Sequence, residues 1–75
     1  MWKEENDQMV QHFEFADFIE AFEFLKKVAE LAEEHHHHPE IYNVYNKVTL
    51  KLSTHDAGDV VTEKDRKLAE AIDRI

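Results

Sequence analysis

The sequence predicts an α+β fold, an antiparallel sheet with two helices packed on one face. Three observations carry this. Two stretches alternate apolar and polar residues with period 2, and two others repeat with the 3.6-residue period of a helix. Their order, strands, helix, strands, helix, shows none of the βαβ alternation that builds a parallel sheet. The chain has 75 residues. That supports a single domain, residues 1–75, of a size that buries only about 60% of its unfolded surface.

The first strand is read from Met9 to Phe15. Met9, Gln11, Phe13 and Phe15, mostly apolar, oppose Val10, His12 and Glu14, mostly polar. Asp17 then stands where a helix N-cap is needed, with Glu20 three positions on in a capping-box-like arrangement. The helix that follows carries a stripe of Phe18, Phe22, Leu25, Ala29 and Ala32, with Ala21, Phe24, Val28 and Leu31 beside it. Together these cover about half the circumference, more than one packing contact needs, so the excess must meet a second partner. From Tyr42 the period returns to 2. Val44, Val48, Leu50 and Leu52 face one way, and Tyr45, Lys47, Thr49, Lys51 and Ser53 the other. Asn46-Lys47 marks either a tight turn or a bend. A break from Ser53 to Val61 holds the lone glycine, Gly58. Thr62 is a good N-cap with Asp65 at the third helical position, and Leu68, Ala69, Ile72 and Ile75 form the apolar face of the last helix.

Composition narrows the function. Nine Lys+Arg against seventeen Asp+Glu give a net charge of −8, the wrong sign for broad nucleic-acid backbone binding. There is no cysteine, which excludes a disulfide framework and a thiolate metal site. No apolar run approaches the roughly 20 residues of a membrane span and no signal-peptide pattern opens the chain, so the expected location is cytoplasmic. Six histidines remain conspicuous: His12, His35, His36, His37, His38 and His55. Pro39 forces extended geometry on the residue before it, so His37 and His38 sit where the chain leaves the helix. His55 lies in the other break. Two loops bearing imidazoles form a candidate acid–base site, because an imidazole with a pKa near 6.5 both gives and takes protons at neutral pH.

The stretch His37-His38-Pro39-Glu40-Ile41-Tyr42-Asn43-Val44-Tyr45-Asn46-Lys47-Val48, then Leu52-Ser53-Thr54-His55-Asp56-Ala57-Gly58 and Thr62-Glu63-Lys64-Asp65, resembles the pterin-4a-carbinolamine dehydratases. The likeness extends back through Phe13-Glu14-Phe15-Ala16-Asp17-Phe18 and covers nearly the whole chain. It implies loss of water from a 4a-hydroxytetrahydropterin to give a quinonoid dihydropterin, in pterin recycling, with neither metal nor organic cofactor. On these positions it implies His37 and His55 as general acids and His38 as the orienting residue that assists as base. Glu33 and Asp65 would hold an imidazole tautomer or shift its pKa. Pro39, Thr54 and Asp56 complete the expected substrate-binding and supporting set. The family also implies a homo-oligomer, a dimer or a dimer of dimers, which suits the excess apolar helix surface.

The sequence departs from the family pattern in four places. The further N-terminal helix common in the family is expected to be absent. Ile41 stands where Trp is frequent and Lys64 where Arg is frequent, and the Gly58–Val61 loop differs in length from the animal pattern. Plainer roles compete at several positions. His12 reads as solvated on a polar strand face, the Phe stripe as core and interface, and Glu30 and Glu34 as a solvated helix face. Two other functions stand as alternatives, a dimerisation module acting as a transcriptional coactivator and a His-rich metal-binding domain.

Overall fold

The computed structural model describes residues 1–75. In chain order the elements are β1 (Lys3–Glu5), β2 (Gln8–Glu14), α1 (Phe18–Glu34), β3 (Glu40–Val44), β4 (Lys47–Leu52) and α2 (Glu63–Asp73), with one turn of 3₁₀ helix at His55–Ala57 before α2. The sheet is antiparallel throughout, in the order β1-β2-β4-β3. Both helices lie on one face of it. Met9, Val48, Leu50 and Leu52 from the sheet meet Ala21, Leu25 and Val28 from α1 and Leu68, Ala69 and Ile72 from α2 in a single core.

β1 carries no alternation and all three of its residues are exposed, so periodicity gave no sign of it. Its signal is in the turn. Asn6 and Asp7 both take positive φ, +52° and +61°, the left-handed pair that a two-residue hairpin loop requires and that Asn and Asp tolerate best. β2 begins one residue earlier than the alternation suggests and ends at Glu14. Phe15 is nevertheless tied down, donating its N–H to the Asn46 carbonyl at 2.9 Å and accepting from the Asn46 amide at 2.9 Å. Trp2, Phe13, Phe15 and Phe24 pack around one end of the core.

α1 starts as expected. The Asp17 carboxylate accepts from the Glu20 N–H at 2.8 Å, and the Glu20 side chain reaches back to the Ala16 N–H at 3.1 Å. Only part of its apolar half is covered. Ala21, Leu25, Val28 and Ala32 are buried, whereas Phe18 and Phe22 remain nearly half exposed and Ile19 is 72% exposed. The hairpin between β3 and β4 turns at Tyr45-Asn46, one residue before the pair singled out above, with Tyr45 at φ +50°. That register corrects one assignment. Val44 pairs with Lys47, which places it on the face opposite Val48 and Leu50, and it is 75% exposed. Alternation counted through a hairpin loop loses its phase. Ile75 also falls outside α2 and is 44% exposed, so it adds little to that helix's apolar face.

Candidate active site

Two chain breaks meet at one end of the sheet, and each is shaped by a left-handed residue. α1 ends in a Schellman motif: the His36 N–H donates to the Glu33 carbonyl at 3.2 Å and the His37 N–H to the Ala32 carbonyl at 3.0 Å. The position that favours glycine is filled by His36 at φ +50°. This reversal turns His37 back under the end of the helix, where it is nine-tenths buried. In the other break, Thr54 and Val60 bridge, and Gly58 at φ +90° closes the 3₁₀ turn that carries His55.

His36, His37, His38, Ser53, Thr54, His55, Asp56 and Lys64 line one open cleft of about 280 Å³, with no hydrophobic residue among them. Two segments remote in sequence thus bring three of the expected imidazoles together. A roomier groove of about 610 Å³ runs between α1 and α2 past Leu31, Ala71 and Arg74. It holds one histidine, His35, and none of the three imidazoles singled out by the sequence.

Each of the three imidazoles has a carboxylate on one ring nitrogen. His37 Nε2 lies 2.5 Å from Asp65 Oδ1, His38 Nε2 lies 2.6 Å from Glu33 Oε2, and His55 Nδ1 lies 2.9 Å from Asp59 Oδ1. The pairs differ in setting. Asp65 is fully buried, while His55 and Asp59 have side chains 89% and 67% exposed. Burial pushes the Asp65 carboxyl up, but the hydrogen bonds from His37, the Thr62 N–H and the Thr54 hydroxyl outweigh it and hold the group below the usual aspartate range. The hydrogen bond to His38 likewise lowers Glu33. The hydrogen bond to Asp59, followed by the charges of Asp59 and Asp56, raises His55 above its ordinary value.

Among the expected supporting residues, Thr54 and Asp56 line the cleft. Pro39 is half-buried behind it and is not part of its lining. Glu33 lies one turn before His37 along the chain, yet its partner is His38, because the helix has already ended and the reversal carries His37 away. Asp65 sits beneath the cleft floor as the partner of His37. Sequence reasoning missed Asp59, whose spacing of four from His55 was the available signal, and gave Thr62 no role beyond its cap. His12 is bound to Thr49 at 2.8 Å and stands apart. Nowhere do three or more His, Asp or Glu side chains gather as a metal-ligand group. No helix is long and apolar enough to cross a membrane.

Comparison with known proteins adds independent findings. The sequence model of the family "Pterin 4 alpha carbinolamine dehydratase" matches residues 1–75. A provisionally named pterin-4-alpha-carbinolamine dehydratase of Prochlorococcus marinus (strain NATL2A) is 50% identical over 74 residues, covering 99% of this chain and 77% of that protein. One of Burkholderia vietnamiensis, also provisionally named, is 54% identical over 69 residues, covering 92% of this chain and 67% of that protein. The crystal structure of a transcriptional coactivator/pterin dehydratase from Brucella melitensis superposes with a TM-score of 0.91 at 37% identity, over 97% of this chain and 79% of that one. A pterin dehydratase-like protein identified as a RuBisCO assembly factor shares the fold, with a TM-score of 0.77 at 24% identity, over 99% of this chain and 84% of that one.

Proposed function

The chain belongs to the pterin 4 alpha carbinolamine dehydratase family, and from that premise we propose that it eliminates water from a 4a-hydroxytetrahydropterin by histidine acid–base catalysis. The observation that carries this reading is the set of three imidazoles on one cleft, each with one ring nitrogen on a carboxylate and the other left for a substrate.

The reaction breaks the C4a–O bond. An acid gives a proton to the departing hydroxyl, which leaves as water. The lone pair of the neighbouring ring nitrogen closes a C=N bond to C4a, and a base takes that nitrogen's proton. One proton is given and one taken, so the net charge of the protein is unchanged, and proton exchange with water in the open cleft restores the acid and the base for the next turnover. His55 suits the acid role, because Asp59 keeps its protonated form populated toward neutral pH. His37 is the second acid: as an imidazolium it keeps its Nε2–H on Asp65 and gives the proton from Nδ1, which leaves the Nε2–H tautomer. His38 orients the pterin and serves as base, with Glu33 taking up the charge its ring gains. Asp56 offers a hydrogen-bonding group to the pterin ring edge, and Thr54 supports the site from its wall through its hydrogen bond to Asp65. Pro39 favours extended backbone at His38, the residue directly before it. The sequence of proton transfers needs no metal and no organic cofactor.

The test is dehydration of freshly generated 4a-hydroxytetrahydropterin, followed by absorbance with a chelator present. Turnover that survives the chelator and falls about 10²-fold or more in His37→Ala, His38→Ala and His55→Ala supports the assignment. Near-normal rates in all three variants end it.

A second reading, a protein-interaction module with a coactivator role, is favoured by the uncovered flank of α1. Phe18, Ile19 and Phe22, together with Ile41 on the edge strand β3, are all exposed. The Brucella relative carries the coactivator description alongside the dehydratase one. The same flank suits self-association into a homo-oligomer with the dimer as its minimal unit, which would add core to a domain of marginal size.

A further inference from the structure

The cap of α2 and the site beneath the cleft share atoms. Asp65 accepts three hydrogen bonds: from the Thr62 N–H at 2.8 Å and the Thr54 hydroxyl at 2.8 Å on Oδ2, and from His37 Nε2 at 2.5 Å on Oδ1. The two hydroxyls also meet, Thr54 Oγ1 lying 2.6 Å from Thr62 Oγ1. A threonine hydroxyl has one proton. An ionised carboxylate only accepts, so the Thr54 proton points at Asp65, and the proton between the two hydroxyls comes from Thr62. Thr62 Oγ1 in turn accepts the Lys64 N–H at 3.3 Å. Every donor in the chain therefore runs one way, from the first turn of α2 through Thr62 and Thr54 to the carboxylate, and the same carboxylate takes the Nε2 proton of His37.

We propose that Thr62 is a positioning residue of the active site: by filling the acceptor of Thr54 it commits the Thr54 proton to Asp65, and through Asp65 it fixes His37 as the Nε2–H tautomer. Its helix cap and its part in the site are one hydroxyl. The consequence for catalysis rests on the dehydratase reading given above, whereas the hydrogen-bond chain stands independently of it. Such chains polarise their members, so removing the far donor weakens the near contacts too.

The experiment compares Thr62→Ser, Thr62→Val and Thr62→Gly in the full chain. Serine keeps both the cap and the proton. Valine keeps the volume and excludes water but loses both. Glycine remains a serviceable cap without the proton. Two readouts are taken, the carboxyl titration of Asp65 by carbon NMR and the pH profile of kcat for pterin dehydration. The Val and Gly variants should raise the Asp65 titration midpoint by ~0.5 unit, about a threefold change in proton affinity. They should lower kcat by about tenfold, as loss of an outer partner does, with KM little changed. The Ser variant should recover both. A wild-type protein without dehydratase turnover, but with the Asp65 titration moved as described, supports the Thr62 assignment and overturns only the reading of the reaction. An Asp65 titration unmoved in the Val and Gly variants, or moved equally by Ser, overturns the assignment itself.

Discussion

Replacing Asp65 by asparagine exchanges one oxygen for an amide nitrogen at the most enclosed point of the site. The carboxylate is fully buried and accepts from three donors. Asparagine has one carbonyl oxygen to accept with, and its amide must face a donor. If the oxygen stays with Thr54 and Thr62, the amide meets His37 Nε2–H, and the ring must move its proton to Nδ1 or turn away. Hydrogen bonds to a charged group contribute about 1.5–3 kcal/mol each, against roughly 1 for neutral ones. Loss of the charge at two contacts and of the third contact altogether sums to about 2.5–7 kcal/mol. A chain of this length has a total stability of about 4–11 kcal/mol, so the variant should show a much lower denaturation midpoint. Its dehydration rate should fall about 10²–10⁴-fold, because His37 would lose the carboxylate that orients its ring and supports the charge of its proton-donating form. The pH dependence has a definite sign. The folded-state pKa of Asp65 is depressed, so the wild type gains this stability fully above the unfolded value of about 3.9 and loses it as pH falls through the lower folded value. The advantage of wild type over Asp65→Asn should therefore hold near pH 6 and shrink below about pH 4. Urea melts at several pH values and a stopped-flow dehydration assay measure both. A variant within ~0.5 kcal/mol of wild type and within about threefold of its rate would refute this account of the pair.

Other outcomes follow from the same geometry. His36→Gly should stabilise the protein by about 1 kcal/mol, raising Tm by roughly 4–8 °C, because glycine takes the left-handed Schellman position without the Cβ penalty; a lower Tm in a thermal melt contradicts the strain. Asp59→Asn should bring the His55 titration down toward the ordinary imidazole value, and should move the alkaline limb of the rate profile to lower pH, since protonated His55 is the acid. An unchanged His55 titration by NMR counts against that pairing. Ile19→Glu together with Phe22→Glu should leave the fold intact, because both side chains are exposed, and should shift sedimentation toward monomer. An equilibrium sedimentation profile identical to wild type would place the contact elsewhere.

Much of this architecture was legible in the residues, for identifiable reasons. Thr62 and Asp65 announced a helix start, and the structure has that capping box. Asp17 did the same for α1. The histidine positions drew attention because Pro39 limits what the preceding backbone can do. What escaped notice was set by backbone reversals rather than by side-chain period. β1 is three exposed residues held by a left-handed Asn6-Asp7 turn, Val44 lost its phase across the Tyr45-Asn46 turn, and Glu33 found His38 because the chain reverses at His36. A helical wheel extended through His37 puts the glutamate under the wrong imidazole. The second function of Thr62 was hidden for another reason: a cap is read from local spacing, whereas the contact with Thr54 depends on where the second break folds back.

The central claim is that the imidazoles of His37, His38 and His55 act together on one pterin ring. Its most direct test is NMR titration of the histidine-labelled protein with a stable dihydropterin. The account predicts that the ring signals of these three shift together along one saturating curve while His12 stays put. Saturable binding that leaves all three unmoved, or shifts confined to His12 or His35, would contradict it.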